Sequence, residues 1–171
     1  MFQEGSLIIY GTTGVCRVTG ITMRDDFGQG QKQPYYTLCP LYQSGSIFAP
    51  VDNSRVFMRP ILTKEEADAL IDSIPTIHAE AFHSRSPQEL AEHYTQALRA
   101  HNCLTLLETV LSIHAKKQNL ASQHKKFGQV DSRFLKQAQD LLHGELAAAL
   151  GIEKDAVQTY IAARLGQDKT E

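Results

Sequence analysis

The sequence predicts an α+β protein in which a small five-stranded β-barrel precedes an all-helical domain. Up to about residue 60, short apolar, aromatic and β-branched runs are separated by turn signals, and residues 15–21 alternate apolar and polar side chains with the period of 2 of a half-buried strand. From residue 63 onwards, apolar residues recur at the i, i+3, i+4 spacing of amphipathic helices. The 171 residues, 42% of them hydrophobic, suffice for two small globular domains. We therefore expect one domain at residues 1–62 and a second at 63–171.

The strands of the first domain are short and separated by turn signals. We predict them at residues 7–10, 15–21, 35–39, 46–49 and 56–58. A flat sheet of this size leaves too many free edges, which favours a partly open barrel. The turn Gly11-Thr12-Thr13-Gly14 superficially resembles a phosphate cradle, but its position between two strands favours a hairpin.

The second domain carries helix start and stop signals. We predict helices at residues 64–74, 87–100, 103–121, 132–150 and 153–165. The segments Thr63-Lys64-Glu65-Glu66 and Ser86-Pro87-Gln88-Glu89 both fit the capping box. Val130 or Asp131 is expected to cap the fourth helix, and Gly151 to end it.

Several classes of protein are excluded by what the sequence lacks. The three cysteines Cys16, Cys39 and Cys103 are odd in number and far apart, which is typical of a reduced intracellular chain. We see no signal peptide and no apolar run of the roughly 20 residues that cross a bilayer. No nucleophile–base arrangement, nucleotide fingerprint or metal-ligand spacing is present. We therefore predict a cytoplasmic, non-enzymatic protein with no membrane contact, no cofactor and no metal.

The charge is unevenly distributed although its sum is only −2. Residues 63–118 carry five basic and eight acidic side chains, whereas residues 119–171 carry seven of each. A basic cluster lies near the junction of the third and fourth helices, namely Lys116, Lys117, Lys125, Lys126, Arg133 and Lys136. Such a cluster can bind phosphates, or it can be a solvated helix end whose cations favour the helix dipole.

Four segments carry a resemblance to a known family. They are Phe2-x-x-Gly5-x-x-Ile8-Ile9-Tyr10-x-x-x-Gly14-Val15-x-x-Val18-x-x-Ile21, Tyr35-Tyr36-x-Leu38, Ile47-Phe48-Ala49-Pro50-Val51 and Arg133-x-Leu135-x-x-Ala138-x-x-Leu141-Leu142-x-x-Glu145-Leu146-Ala147. In this order and separation they resemble the CarD/CdnL family of bacterial transcription regulators.

The resemblance implies an N-terminal Tudor-like module, also present in the transcription-repair coupling factor, that binds the β subunit of RNA polymerase. Arg24 matches a position that is commonly basic in the family and contacts polymerase. A second such basic position falls near Phe48 in this chain. The polymerase-binding residues expected on this basis are Arg24, Tyr36, Ile47, Phe48 and Val51.

The resemblance also implies that the helical domain contacts promoter DNA at the upstream edge of the opened bubble. Family members often place a tryptophan early in the first main helix, but this chain has none. Leu90 occupies that place, with Glu92 and His93 where basic residues usually follow, and simple core packing is the favoured alternative for Leu90. The expected DNA-binding residues are Leu90, His93, Lys116, Lys117, Lys125, Lys126, Arg133 and Lys136.

We therefore expect a CarD-like transcription regulator that is tethered to the RNA polymerase β subunit and contacts promoter DNA weakly, without sequence specificity. Its effect would be to modulate open-complex formation. The alternative is an adaptor that binds RNA polymerase and another protein, with little or no DNA binding.

Overall fold

A computed structural model describes residues 1–26, 28–52 and 55–167 of the chain. It divides into two compact units, Met1–Ile61 and Leu62–Glu171. This boundary lies one residue before the one expected from the sequence. Within the described residues, no helix is long and apolar enough to cross a membrane.

The first unit is a five-stranded antiparallel sheet. Its strands are β1 (Leu7–Tyr10), β2 (Gly14–Arg24), β3 (Gln33–Pro40), β4 (Ile47–Pro50) and β5 (Met58–Pro60). Their order across the sheet is β4-β3-β2-β1-β5, so every neighbouring pair but one is also consecutive in sequence. The five strands followed by five α-helices confirm the predicted α+β class. Among the described residues β4 and β5 are not paired with each other, so the hydrogen-bonded ladder is open at both edges.

One face of this sheet forms a small apolar core. The core residues follow the pleat and are Ile8, Cys16, Val18, Tyr36, Leu38 and Ala49. The register of β2 against β3 shifts between Val18 and Gly20, which marks a bulge. The extra residue brings Ile21 opposite Tyr36, on the core face, and β2 continues beyond the predicted end at residue 21.

Five α-helices and two short 3₁₀ turns make up the second unit. The helices are α1 (Lys64–Asp72), α2 (Pro87–Arg99), α3 (Cys103–Ser122), α4 (Gln129–Leu150) and α5 (Val157–Gln167), and the 3₁₀ turns are Ile74–Thr76 and Lys154–Ala156. Thr63 and Glu66 form the expected reciprocal capping box. At α2 only half of the capping box is present. The Ser86 hydroxyl accepts a hydrogen bond from the Glu89 N–H, but the Glu89 carboxylate accepts one from the Ser84 hydroxyl instead of the Ser86 N–H.

The start of α4 differs from the prediction. The helix begins at Gln129, with Gly128 at the N-cap and no side-chain cap. The prediction that Val130 or Asp131 is the cap is wrong because Asp131 lies in the first helical turn and its carboxylate is buried against other helices. The far end is as expected: Gly151 ends α4 in the left-handed conformation, with φ of 68°.

The helical unit has one hydrophobic core, to which all five helices contribute. Near its edge, α5 is attached to α1 by Arg164, which donates two hydrogen bonds of 2.7 and 2.9 Å to the Asp72 carboxylate. This paired contact holds the pKa of Asp72 below its usual value.

Candidate functional site

An arginine stacked on an aromatic ring lies on the outer face of the sheet. The Arg24 guanidinium carbon is 4.0 Å from the centre of the Phe48 ring and 5.9 Å from that of Tyr35. Arg24 Nε donates a hydrogen bond of 2.9 Å to Asp26. The Phe48 ring nevertheless remains 46% exposed. Cation–π contact and the ion pair therefore hold a positive charge in a defined place beside an accessible aromatic ring.

This pair lies at a free edge of the sheet. In the described part of the chain β4 pairs only with β3. The Val51 N–H donates a hydrogen bond to the Pro34 carbonyl, so these two residues form a hydrogen-bonded pair. Hydrogen-bonded pairs alternate with non-bonded pairs along an antiparallel ladder. Because Thr37 lies opposite Phe48 at a non-bonded position, the backbone N–H and carbonyl of Phe48 face away from β3. The edge of β4 can therefore pair with another strand.

The other three residues expected to bind polymerase, Tyr36, Ile47 and Val51, pack against the core of the sheet unit. Tyr36 is only 2% exposed, and its hydroxyl accepts a hydrogen bond from the Phe2 N–H. Ile47 and Val51 are partly buried against the same core. Tyr36 is therefore a core residue and not a surface contact, because the pleat turns it away from the face of Arg24 and Phe48.

Two exposed apolar side chains of β2, on the opposite face from Arg24, were not among the expected site residues. Ile21 is 43% exposed and Met23 is 58% exposed. The alternation of Ile21, Thr22, Met23 and Arg24 was the sequence signal that could have extended β2 and revealed them.

In the helical unit, two of the expected DNA contacts are internal. Leu90 is 6% exposed and belongs to the hydrophobic core. Lys116 is also 6% exposed, and its Nζ lies 3.1 and 3.0 Å from the two carboxylate oxygens of Asp131. Tyr94 donates a hydrogen bond of 2.6 Å to the same carboxylate. Neither Leu90 nor Lys116 can therefore contact DNA in this structure, because both are enclosed between α2, α3 and α4.

His93 remains at the surface but is covered on one side. Its imidazole is stacked on Phe82, with ring centres 3.7 Å apart and planes 8° from parallel. Phe82 belongs to the irregular segment that precedes α2, so His93 contacts that segment.

The remaining five cations form what we call the basic turn: Lys117, Lys125, Lys126, Arg133 and Lys136. All five are exposed, and they lie at the end of α3, in the connection and in the first two turns of α4. Lys117 lies 5.5 Å from the Phe127 ring, and Arg133 lies 4.9 Å from the Phe134 ring. Asp131 is the only acidic residue between Glu108 and Asp140, and Lys116 neutralises it. The exposed charge of the basic turn is therefore uniformly positive.

The described residues contain no group of three or more potential metal ligands. The described cysteines Cys16, Cys39 and Cys103 form no disulfide, and burial raises the pKa of Cys16 to about 11.

A comparison with protein families finds one match. The family model described as the CarD-like/TRCF RID domain covers residues 2–62, which is nearly all of the first unit. No curated protein matched the chain.

The buried charge network yields a stability prediction. Lys116→Met leaves the Asp131 carboxylate buried without its cation, so we expect the free energy of unfolding to fall by about 3–5 kcal/mol. Chemical denaturation of the full chain, followed by circular dichroism at the helical band, measures this loss.

Two further variants give this measurement its controls. Lys117→Met removes an exposed cation from the next position and should change stability by less than about 0.5 kcal/mol. Replacing both partners, as Lys116→Met with Asp131→Leu, should recover much of the loss. A Lys116→Met variant as stable as the parent would contradict the assigned role of this pair.

Proposed function

We propose that the chain binds the RNA polymerase β subunit and also contacts promoter DNA, because residues 2–62 match the CarD-like/TRCF RID domain, which supports an RNA polymerase-interacting transcription factor. The first unit acts as the tether. The second unit acts on the DNA and modulates open-complex formation.

The observation that carries the proposal is the stacked Arg24 beside the open edge of β4. An exposed strand edge can accept a strand of the partner, with main-chain hydrogen bonds supplying affinity. The outward N–H and carbonyl of Phe48 supply those bonds. Asp26 occupies only Nε of Arg24 in the described structure, which leaves the terminal amino groups for a carboxylate of the partner. The β-subunit surface that fits is therefore an extended strand flanked by an acidic side chain.

The proposed DNA contact is the basic turn. Each lysine or arginine that neutralises a phosphate releases counterions, so the affinity should depend strongly on salt. Gly128 leaves the N-terminal N–H groups of α4 without a side-chain cap, and a helix N-terminus favours phosphate. Both features support a contact with the sugar–phosphate backbone of DNA, which carries no sequence specificity.

Tethering allows such a contact to be weak. Binding to the polymerase raises the local concentration of the helical unit at the promoter, so modest intrinsic affinity for DNA suffices. A protein that binds the open complex more tightly than the closed one shifts the equilibrium between them by that difference in affinity.

One observation favours a second candidate function, an adaptor without DNA binding. At the position where family members often carry the DNA-wedging tryptophan, Leu90 is buried in the core, and Glu92 beside it would repel phosphate. If the basic turn does not bind DNA, the helical unit would recruit a protein instead.

We expect Arg24→Glu to weaken binding to RNA polymerase by tenfold or more, because it places a negative charge against the acidic side chain of the partner. Phe48→Ala should weaken binding less, since it removes the ring that holds Arg24. Biolayer interferometry of the full chain on core polymerase and on isolated β subunit measures both effects.

Arg17→Glu is the matched control for this experiment. Arg17 is exposed on β2, opposite Cys39 and away from the Arg24 end, so the charge change is identical and the affinity should be unchanged. Failure of the unmodified chain to bind the β subunit would refute the proposed tether, and equal loss in the Arg17 and Arg24 variants would refute the assigned surface.

For the DNA contact, we expect the pair Lys125→Glu and Lys126→Glu to weaken binding of the full chain to forked promoter DNA. The slope of log affinity against log salt should fall by about 2, since two phosphate contacts are lost. Fluorescence anisotropy over a salt series measures this slope.

The control carries the same charge change elsewhere on the helical unit. Lys64→Glu with Arg99→Glu alters two exposed cations outside the basic turn and should leave the slope unchanged. No binding by the unmodified chain, or an affinity that is flat across salt, would favour the adaptor over the DNA-contacting regulator.

A further inference from the structure

An open groove of about 640 Å³ lies in the helical unit, and its described lining includes His93 but none of the cations of the basic turn. Its walls are residues 76–80, which follow α1, and the facing sides of α2 and α3. Small side chains such as Ala79 and Ala97 leave the space between these walls. We call it the side groove.

The side groove presents hydrogen-bond acceptors. The Thr109 hydroxyl donates its hydrogen to the Thr105 carbonyl at 2.7 Å, and the Ser112 hydroxyl donates to the Glu80 carbonyl at 2.6 Å. Their oxygens keep acceptor capacity, and both residues line the groove. The carboxylates of Glu80 and Glu108 add two negative charges, and no lysine or arginine is among the described lining residues. The groove therefore complements a ligand that is both cationic and rich in donors.

The wall residues 77–80 belong to an irregular segment that precedes α2. The backbone at Ile77 is already extended, with φ of −83° and ψ of 120°. Within the described part of the chain, residues 78–83 donate no backbone hydrogen bond to other backbone groups. The segment is held in place by side chains instead, through the Phe82–His93 stack and the Ser112–Glu80 hydrogen bond. A segment whose backbone N–H groups lie outside any ladder can receive an extended chain alongside it.

We propose that the side groove binds an extended segment of a partner protein that carries an arginine or lysine. The backbone of that segment would pair with residues 78–80, and its cationic side chain would lie between Glu80 and Glu108. Nucleic acid does not fit, because the two carboxylates would repel phosphate. The inference is independent of the proposed tether, since it uses no residue of the first unit.

The direct test uses a fluorescein-labelled octapeptide that alternates arginine and serine, titrated with the full chain in an anisotropy measurement at low salt. We expect binding that weakens tenfold or more in the double variant Glu80→Gln with Glu108→Gln. An otherwise identical peptide with glutamate in place of arginine should not bind.

Two controls separate the groove from general charge attraction. The double variant Glu65→Gln with Glu92→Gln removes the same charge from exposed positions outside the groove and should leave the affinity unchanged. Free argininamide should compete at least tenfold more weakly than the peptide. The proposal is overturned if the arginine peptide does not bind, if both double variants lose affinity equally, or if argininamide competes as well as the peptide.

Discussion

The buried ion pair between Lys116 and Asp131 determines both the packing and the surface charge of the helical unit. It joins the end of α3 to the start of α4, and the Tyr94 hydroxyl attaches α2 to the same carboxylate. Burying two charges costs several kcal/mol unless the geometry and the hydrogen bonds are good, and here the carboxylate accepts from both partners. Burial and the bond to Asp131 also raise the pKa of Tyr94, so this hydroxyl stays a donor at any physiological pH.

A second consequence of this pair is electrostatic. Asp131 would be the one negative charge among the exposed cations at the α3–α4 connection. Its burial with Lys116 removes both charges from the surface, and the basic turn keeps its five positive side chains. In the sheet unit the pleat makes a comparable separation: Tyr36 faces the core, while Arg24 and Phe48 lie on the opposite face. Both proposed contacts therefore use cations that remain accessible at the surface.

Much of the fold follows from local sequence signals. Short apolar and β-branched runs between turn signals predicted the five strands, and Thr63 with Glu66 marked the start of α1, because these signals depend only on neighbouring residues. Part of the site was also accessible to such reasoning. Lys116 was expected to contact DNA, but it lies three residues after Ile113, so helical spacing could have placed it on the buried face of α3. Tyr36 could likewise have been assigned to the core, because it shares one face of the strand with the apolar Leu38, while the polar Thr37 lies on the other.

Other features depend on contacts between residues far apart in the sequence and could not be predicted from neighbouring residues. Nothing near Asp131 in the sequence indicates that its partners are Lys116 and Tyr94. The bulge between Val18 and Gly20, which sets the faces of Ile21 and Arg24, appears only once β2 is paired with β3. The side groove likewise needs three separate segments, and the α4 start was misplaced because Asp131 looked like a cap.

Amide hydrogen exchange of the full chain, with and without core RNA polymerase, tests the central claim most directly because it locates the interface without substitution. The outward N–H of Phe48 should exchange more slowly in the complex, together with amides at the Arg24 end of β2. Binding that leaves β4 and β2 unprotected and slows only helical amides would contradict the account.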